Sequence, residues 1–167
     1  MGPRPLFRIF GIPVTVDVDT IYAGFERVLP NVDYLVASSE FPARWTGEED
    51  PFRALALIQD EYRIQVAAMT LGQFGALARV GSRFIYSPGF AVKCVDTTGA
   101  GDVFHGAFCY AVIESMPMSE TLDFCNAMGA LNCTALGARG GIATCEQARE
   151  LIEHAGRRSH PDFEQRV

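Results

Sequence analysis

Hydrophobic and polar positions along the chain follow two different periods, which predict strands and helices in turn. Short runs rich in β-branched residues predict strands at residues 12–18, 33–37, 63–69 and 92–95. Apolar residues on one side or nearly all sides of a helix predict helices at residues 50–61, 103–114, 119–136 and 145–155. Because strand and helix patterns alternate, we expect an α/β protein whose parallel sheet is covered by helices.

Two further strand patterns lie close together, at residues 76–80 and 83–87, with Gly81 and Ser82 between them. A two-residue link joins antiparallel strands, so we expect a hairpin at the edge of the otherwise parallel sheet. The chain becomes polar from residue 157 (RRSHPDFEQRV), and we expect a domain over residues 1–156 followed by a polar tail that frays.

Length and charge narrow the class of protein. The 167 residues fit one domain, and 49% apolar with 20% charged residues is typical of a globular chain. The formal net charge of −6 provides no general basic field, so neither nucleic acid nor an anionic membrane surface is an expected partner. A phosphate ligand would need local donors such as backbone N–H groups, a helix N-terminus or a bound cation.

The five cysteines are scattered and odd in number, without disulfide or metal-ligand spacing. Reduced thiols and a cytoplasmic location are therefore expected. The longest uncharged stretches, residues 64–78 and 124–138, are too short for a membrane span, and no export signal is recognisable at the start of the sequence.

The glycine-rich run Asp96-Thr-Thr-Gly-Ala-Gly-Asp102 stands between a strand pattern and a helix pattern. Small residues before a helix leave its first N–H groups uncovered, which favours an anion there. Asp102 would repel that anion unless it acts as a base for a hydroxyl nucleophile; the alternative is a tight turn with Asp102 as a helix cap. Phe104 replaces the third glycine of a dinucleotide fingerprint and no Gly-Lys-Ser/Thr follows, which disfavours an NAD-dependent oxidoreductase and a Walker-type site.

Residues 95–108 (VDTTGAGDVFHGAF) closely resemble the C-terminal signature of the ribokinase-like (PfkB) carbohydrate kinases. This resemblance implies that Asp102 is the catalytic base and that Gly99, Ala100 and Gly101 form the anion hole for the transferred phosphate. It further implies a three-layer α/β/α ribokinase-like fold, ATP and Mg²⁺ as cofactors, and a nucleotide and a small sugar as binding partners.

Other positions resemble the family's nucleotide site. The resemblance implies nucleotide-binding roles for Thr70, Gly72, Gly75, Thr98 and Asn126. Without it, residues 70–76 (TLGQFGA) are equally compatible with an ordinary turn, and a mid-helix Asn is more often a locally bonded residue.

Two metal positions follow from the same resemblance. Asp96, with the loop at residues 136–141 (LGARGG), resembles the site where ribokinase-like members hold a monovalent cation such as K⁺. Glu40 matches the Glu of the family's Asn-x-x-Glu motif, which implies contact with Mg²⁺ through water. The Asn position of that motif is Ala37 here, so the sequence departs from the family pattern.

The resemblance covers the second half of the family's length. The opening strands, the small β lid and the sugar-recognising diglycine motif have no counterpart before Ile12, and residues 6–11 look like the end of a helix. We therefore expect a truncated fold that associates with itself or with a missing N-terminal half, since a cut sheet exposes an edge and apolar surface. A kinase half inactive by itself is the first functional hypothesis, and a non-catalytic nucleotide-binding or assembly module is the second.

Overall fold

A computed structural model of the chain describes residues 10–167. The predicted helix end at residues 6–11 lies largely outside the described residues. The chain divides into two compact units. The N-terminal unit ends at Met69 and also contains Ala78–Arg83, while the C-terminal unit contains Thr70–Leu77 and Phe84–Val167.

Five strands form one mixed sheet in the order β1-β2-β3-β4-β5. The strands are β1 (Thr15–Val18), β2 (Tyr34–Ala37), β3 (Val66–Thr70), β4 (Ala76–Val80) and β5 (Arg83–Ser87). β2 pairs in parallel with β1 and with β3, so the carboxyl ends of these three strands lie at one edge of the sheet. The links at 71–75 and 81–82 are too short for a crossover and therefore join antiparallel strands. The predicted α/β class with an antiparallel hairpin at the sheet edge is confirmed, and the sheet as a whole is mixed.

In the N-terminal unit, helix α1 (Phe41–Thr46) precedes helix α2 (Pro51–Tyr62). The side chain of Asp50 caps α2 by accepting from two backbone N–H groups, those of Phe52 and Arg53. Pro51 has no N–H to leave unsatisfied at the first helical position. The apolar side of α2 is buried, and α2 ends where the chain turns at Arg63 with φ 55°. Local capping and burial together account for the predicted helix at 50–61.

The C-terminal unit is mainly helical. Its elements are β6 (Gly89–Phe90), α3 (Ala100–Ile113), α4 (Met118–Asn132), α5 (Cys145–His154), β7 (Arg157–Arg158) and α6 (Pro161–Glu164). α3 packs along α4 and buries Phe104 and Phe108, while α5 packs on α4 with Ala148 buried. Among residues 10–167, the helices lack the length and apolar character needed to cross a bilayer.

The predicted strand at residues 92–95 is wrong. This segment is irregular, and the N–H of Val95 donates to the carbonyl of Cys133 at 2.7 Å instead of joining a ladder. The short strand nearby is β6, which pairs antiparallel with β7. The β-branched pattern is present at residues 92–95, but no strand among residues 10–167 pairs with this segment.

The expectation that residues 157–167 fray is also wrong. Arg157 and Arg158 form β7, and the Nη1 of Arg158 donates to Gln73 Oε1 at 2.9 Å. The ring of Phe163 stacks on Tyr86 with centroids 5.6 Å apart, and Tyr86 donates its hydroxyl hydrogen to the Phe74 carbonyl. The polar composition concealed one aromatic anchor, Phe163, and two cationic anchors, Arg157 and Arg158, that bind this segment to the C-terminal unit.

Some element boundaries differ from the predictions for local reasons. The third strand begins at Val66 because Arg63 takes the left-handed conformation that ends α2. The first strand begins at Thr15, after Val14 donates its N–H to the Asp33 side chain. α4 ends at Asn132, four residues short of the predicted end at 136, where its apolar pattern continues into a turn.

Candidate active site

A cavity of about 460 Å³ lies in the C-terminal unit. Its lining includes the sequence-predicted residues Thr70, Gly72, Gly75, Ala100, Gly101 and Asn126. The volume falls within the usual range for a small-molecule site, and most of the lining is apolar or backbone. Within the described part of the chain, its one charged lining residue is Arg158.

The N-terminus of α3 opens on this cavity. Gly99 is the residue before the helix, and no side chain caps the helix there. The N–H of Ala100 donates to the Thr97 carbonyl, and the N–H of Val103 donates to the Gly99 carbonyl. The first-turn N–H groups of Gly101 and Asp102 have no carbonyl within the helix to accept them. A Cβ added at Gly101 would meet nothing within 4 Å, so the backbone is open to a ligand. The arrangement favours an anion at the helix end.

Gly99 holds the loop that leads into α3. Its φ of 75° disfavours any residue with a Cβ, and an added Cβ would lie 2.8 Å from the Cβ of Ala138. The approach of the loop at residues 136–141 therefore depends on the absence of a side chain at position 99. Gly99 does not line the cavity itself, and its place in an anion hole stays a prediction.

The loop after β3 forms another wall. Gly75 has φ 94°, and an added Cβ would lie 2.6 Å from the backbone nitrogen of Gly89. Residues 72–75 therefore pack backbone to backbone against β6. A Cβ at Gly72 would meet nothing within 4 Å, which leaves that part of the wall open toward a ligand.

Asp102 lies on a different side of α3 from the cavity lining. Its side chain is exposed and lines a second, largely apolar groove of about 440 Å³ together with Val103, Gly106 and Arg139. Successive helical residues point about 100° apart. The carboxylate therefore stands beside the helix end that Gly101 opens to the first cavity, facing a separate space in which a second molecule can lie.

Asp96 fastens the glycine-rich loop. Its Oδ1 accepts from the Thr98 N–H at 2.9 Å and the Thr98 hydroxyl at 2.7 Å, and its Oδ2 accepts from the Gly137 N–H at 2.8 Å. These hydrogen bonds lower the pKa of Asp96 from its ordinary value, and the two bonds from Thr98 have the largest effect. A carboxylate between two glycine-containing loops is chemically suited to a hard cation.

Thr98 lies near the cavity but does not line it. In addition to its bonds to Asp96, its carbonyl accepts from the side chain of Asn132 at 3.1 Å. The neighbouring Thr97 lines the cavity. The nucleotide role inferred for Thr98 stays a prediction.

Asn126, in the middle of α4, is 8% exposed and lines the cavity. Its amide nitrogen donates to the backbone carbonyl of Ser87 at 2.9 Å and to the Ser87 hydroxyl oxygen at 2.7 Å. Asn126 is therefore held by a residue distant in sequence rather than by a local bond, and it faces a ligand-sized space. The nucleotide role inferred for Asn126 stays a prediction.

Glu40 belongs to the N-terminal unit and is not among the residues that line either cavity. Its carboxylate forms an ion pair with Arg44, one turn further along α1. Within residues 10–167, no three His, Cys, Asp or Glu side chains cluster as metal ligands would. The water-mediated Mg²⁺ role of Glu40 stays a prediction.

The cavity also contains residues that the sequence analysis missed. Phe104 follows Ala100 by one helical turn, and Gly129, Ala130 and Cys133 extend the face of α4 that begins at Asn126. The i, i+4 spacing of Phe104 from Ala100 and of Ala130 from Asn126 could have indicated these lining positions from the sequence. No sequence pattern could have indicated Arg158, because its position depends on pairing between distant segments. Burial raises the pKa of the Cys133 thiol, and the nearby Cys94, another lining residue, raises this pKa further.

Comparison with known proteins identifies the family. Ribokinase from Haemophilus influenzae is 32% identical over 108 residues, which cover 65% of this chain and 35% of that protein. The structure of Arabidopsis thaliana ribokinase complexed with ribose and ATP superposes with a TM-score of 0.75 at 26% identity, covering 86% of this chain and 48% of the other. A double mutant of Vibrio cholerae O395 fructokinase, bound to fructose, ADP and potassium, gives a TM-score of 0.68 at 26% identity, with coverage of 76% and 43%.

The chain thus spans at most about half the length of these relatives. The similarity confirms a ribokinase-like fold for the part that is present. The model of the pfkB family of carbohydrate kinases matches residues 11–145, and the chain therefore belongs to that family.

Proposed function

We propose that this chain is the nucleotide-binding and catalytic half of an ATP-dependent carbohydrate kinase. The observation that carries the proposal is the uncapped N-terminus of α3, which opens on one cavity while Asp102 of the same turn faces another. One space takes the nucleotide and the other takes the acceptor, with the γ-phosphoryl group between them. Small sugars such as ribose and fructose, which are bound in the related structures, are the acceptor class we propose.

The proposed chemistry uses the residues of this turn. Asp102 takes the proton of the sugar hydroxyl while its oxygen forms a bond to the γ-phosphorus, and the bond from that phosphorus to the bridging oxygen of ADP breaks. The N–H groups of Gly101 and Asp102, with the helix dipole, stabilise charge on the phosphoryl group during transfer. Mg²⁺ bound with the nucleotide supplies counter-charge to the phosphates.

We propose Asp96 as the residue through which a monovalent cation would act. Its carboxylate already joins the loop before α3 to residue 137, so a cation beside it would reinforce the geometry of the anion site. The potassium-bound fructokinase relative supports this proposal.

The acceptor-binding part is proposed to come from outside residues 10–167. Two large apolar side chains on α3 are exposed, Tyr110 at 42% and Ile113 at 75%. β1 is the end strand of the sheet order. We propose that the exposed apolar side chains of α3, and separately the open edge of β1, contact the missing half of a kinase or a second copy of the chain. The chain by itself is then expected to turn over slowly because the acceptor is not positioned.

A non-catalytic nucleotide-binding or assembly module is the second candidate. The half-length match to the relatives favours it, because the groove proposed for the acceptor is lined by this part of the kinase alone. ATP titration combined with an assay of ADP release separates the candidates, provided that an acceptor-binding half is supplied. ATP binding with turnover in that complete form supports the kinase. ATP binding without turnover in the same form supports the module.

Replacement of Asp102 by Asn tests the proposed base. In a protein that supplies both halves, Asp102→Asn is expected to lower kcat by about 10²- to 10⁴-fold, with ATP affinity almost unchanged. Coupled detection of ADP release with ribose and fructose gives the rate, and isothermal titration calorimetry gives the affinity. Glu114→Gln, at the opposite end of α3, is the matched control and should retain full rate. Full activity of Asp102→Asn would remove the assignment.

A further inference from the structure

Two thiols meet at one wall of the first cavity, in the C-terminal unit. Cys94 belongs to the irregular segment before the glycine-rich loop, and Cys133 follows the last residue of α4. Both residues line the cavity. The backbone N–H groups of Val95 and Asp96 donate to the Cys133 carbonyl at 2.7 and 3.3 Å, which joins the two segments directly beside Cys94. The two cysteine side chains are close enough to share a hydrogen bond.

The two thiols differ in their access to solvent. Cys94 is exposed, whereas Cys133 is half-buried. An accessible thiol beside a less accessible one is the arrangement of an attacking and a resolving cysteine. Residues 92–95 belong to no strand ladder of the described chain, so this segment can make the small adjustment that disulfide geometry requires.

The other three cysteines lack this combination of contact, access and cavity. Cys125 is fully buried, so an external reagent does not reach its sulfur. Cys109 and Cys145 are partly buried, and neither lines the first cavity. All five cysteines lie in the described part of the chain, and the conditions for an exchange-active pair coincide at Cys94 and Cys133.

We propose that Cys94 and Cys133 form a redox modification site, in which exchange with a low-molecular-weight disulfide such as oxidised glutathione links them reversibly, and that a nucleotide in the cavity slows this exchange. The disulfide stands on the thiol pair alone. The slowing rests on the proposed function, because a nucleotide must bind in this cavity. A transient disulfide of this kind is compatible with a reducing compartment, where most protein thiols stay free.

The exchange takes two steps. The Cys94 thiolate attacks one sulfur of oxidised glutathione, which forms a mixed disulfide at Cys94 and releases one glutathione thiolate. The Cys133 thiolate then attacks the Cys94 sulfur, which forms the Cys94–Cys133 bond and releases the second glutathione thiolate. The two protein thiols lose two protons and two electrons, and glutathione disulfide takes up both to become two thiols.

The mixed disulfide is the reason for the coupling to nucleotide. It attaches a tripeptide to a side chain that lines a space of about 460 Å³. A nucleotide in that space competes with the tripeptide for room and covers the Cys133 sulfur, so both steps become slower. The chain with bound nucleotide therefore stays reduced, whereas the empty chain is oxidised.

The first test counts thiols after the full 167-residue chain is incubated with oxidised glutathione at mildly alkaline pH. After an acid quench and unfolding in denaturant, a maleimide labels the remaining thiols, and intact mass gives their number. The count is expected to fall from the five cysteines of the sequence to three, with no glutathione attached, and dithiothreitol should restore all five. Five labelled thiols, or a glutathione adduct as the end product, would overturn the disulfide.

Variants show which thiols react. Cys94→Ser should form no internal disulfide, and Cys133→Ser should stop at the mixed disulfide with glutathione on Cys94. Cys109→Ser is the matched control and should form the disulfide as wild type does. A disulfide that persists in Cys94→Ser would overturn the assignment. Because Cys94 is exposed, its Ser variant decides the point even if thermal melting shows that Cys133→Ser does not fold.

The second test follows the rate of disulfide formation with ATP and Mg²⁺ present. At about ten times the dissociation constant given by isothermal titration calorimetry, about one chain in eleven is free of ATP, so the rate should fall about tenfold. An unchanged rate despite calorimetric binding of ATP would overturn the slowing by nucleotide. Absence of ATP binding would overturn the proposed function and the slowing together, while the thiol count still decides the disulfide.

Discussion

Helices α2 and α3 begin in opposite ways, although each has an aspartate at or near its first turn. At α2, Asp50 precedes the helix and its side chain satisfies the first N–H groups. At α3, Gly99 precedes the helix with no side-chain cap, and Asp102 lies inside the first turn. The N–H groups at the start of α2 are satisfied by a side chain of the chain itself, whereas those at the start of α3 have no side-chain cap.

Helix α5 shows that the closed arrangement is available to the C-terminal unit as well. Thr144 and Gln147 form a reciprocal capping box there. A side-chain cap can add about 1 kcal/mol of stability, so the uncapped end of α3 gives up stability that the same unit gains at α5. The difference supports the proposal that the uncapped end of α3, which opens on the cavity, binds an anionic ligand.

Gly99→Ala should have the largest effect on this arrangement. The positive φ costs about 1–2 kcal/mol, and the collision with Ala138 adds overpacking, so unfolding free energy should fall by about 2–4 kcal/mol in urea denaturation. Gly47→Ala is the control, because Gly47 has the same φ of 75° but open space around its Cβ. Equal losses in the two variants would show that the contact with Ala138 does not hold the loop.

Gly101→Ala should affect stability and ATP binding in different ways. A Cβ there fits without a clash and favours the helix by up to about 1 kcal/mol, yet it intrudes on the ligand side of the helix end. We expect unchanged or higher thermal stability with about tenfold weaker ATP binding by calorimetry, from displacement of the phosphate contact. Gly106→Ala, also unobstructed within α3, should gain stability and retain ATP affinity. Unaltered ATP affinity in Gly101→Ala would contradict the placement of the phosphate.

Asp50→Ala tests the closed helix end. Removal of the cap should lower the free energy of unfolding by about 1 kcal/mol, measured by urea denaturation. ATP affinity should not change, because Asp50 satisfies N–H groups of its own chain. A loss of nucleotide binding with unchanged stability would reverse the contrast between the two helix ends.

The smallest expected effect concerns pH and Asp96. Its pKa is lower in the folded chain than the ordinary value of 3.8, so its contribution to stability is present above that value and disappears as pH falls through the folded pKa. Wild type should therefore be slightly more stable than Asp96→Asn at pH 7, and the difference should vanish in strong acid. Parallel urea denaturation curves across pH check this, and a difference that persists in strong acid would contradict it.

Local signals explain how much of the fold was predictable. The hairpin at 76–80 and 83–87 and the start of α2 after Asp50 were predicted from turn and capping residues that act within a few positions. The glycine-rich run likewise indicated the open helix end before the structure showed it. Such features depend on neighbours along the chain, which a sequence displays directly.

The remainder depends on partners distant in sequence. β6 and β7 are two residues each and are separated by most of the C-terminal unit, so neither has a period to detect. Residues 92–95 have a strand pattern but no partner strand. The contact between Cys94 and Cys133 requires tertiary structure to bring two segments together, which composition and spacing do not reveal.

The pairing of β7 with β6 bears on how the chain can be shortened for crystallisation or screening. Polar residues near a chain end are the usual candidates for trimming, and a cut after Gly156 would remove both arginines of β7, the ring of Phe163 and one lining residue of the cavity, Arg158. Such a shortened chain would report on a distorted pocket. Compound screens should therefore retain all residues through Val167.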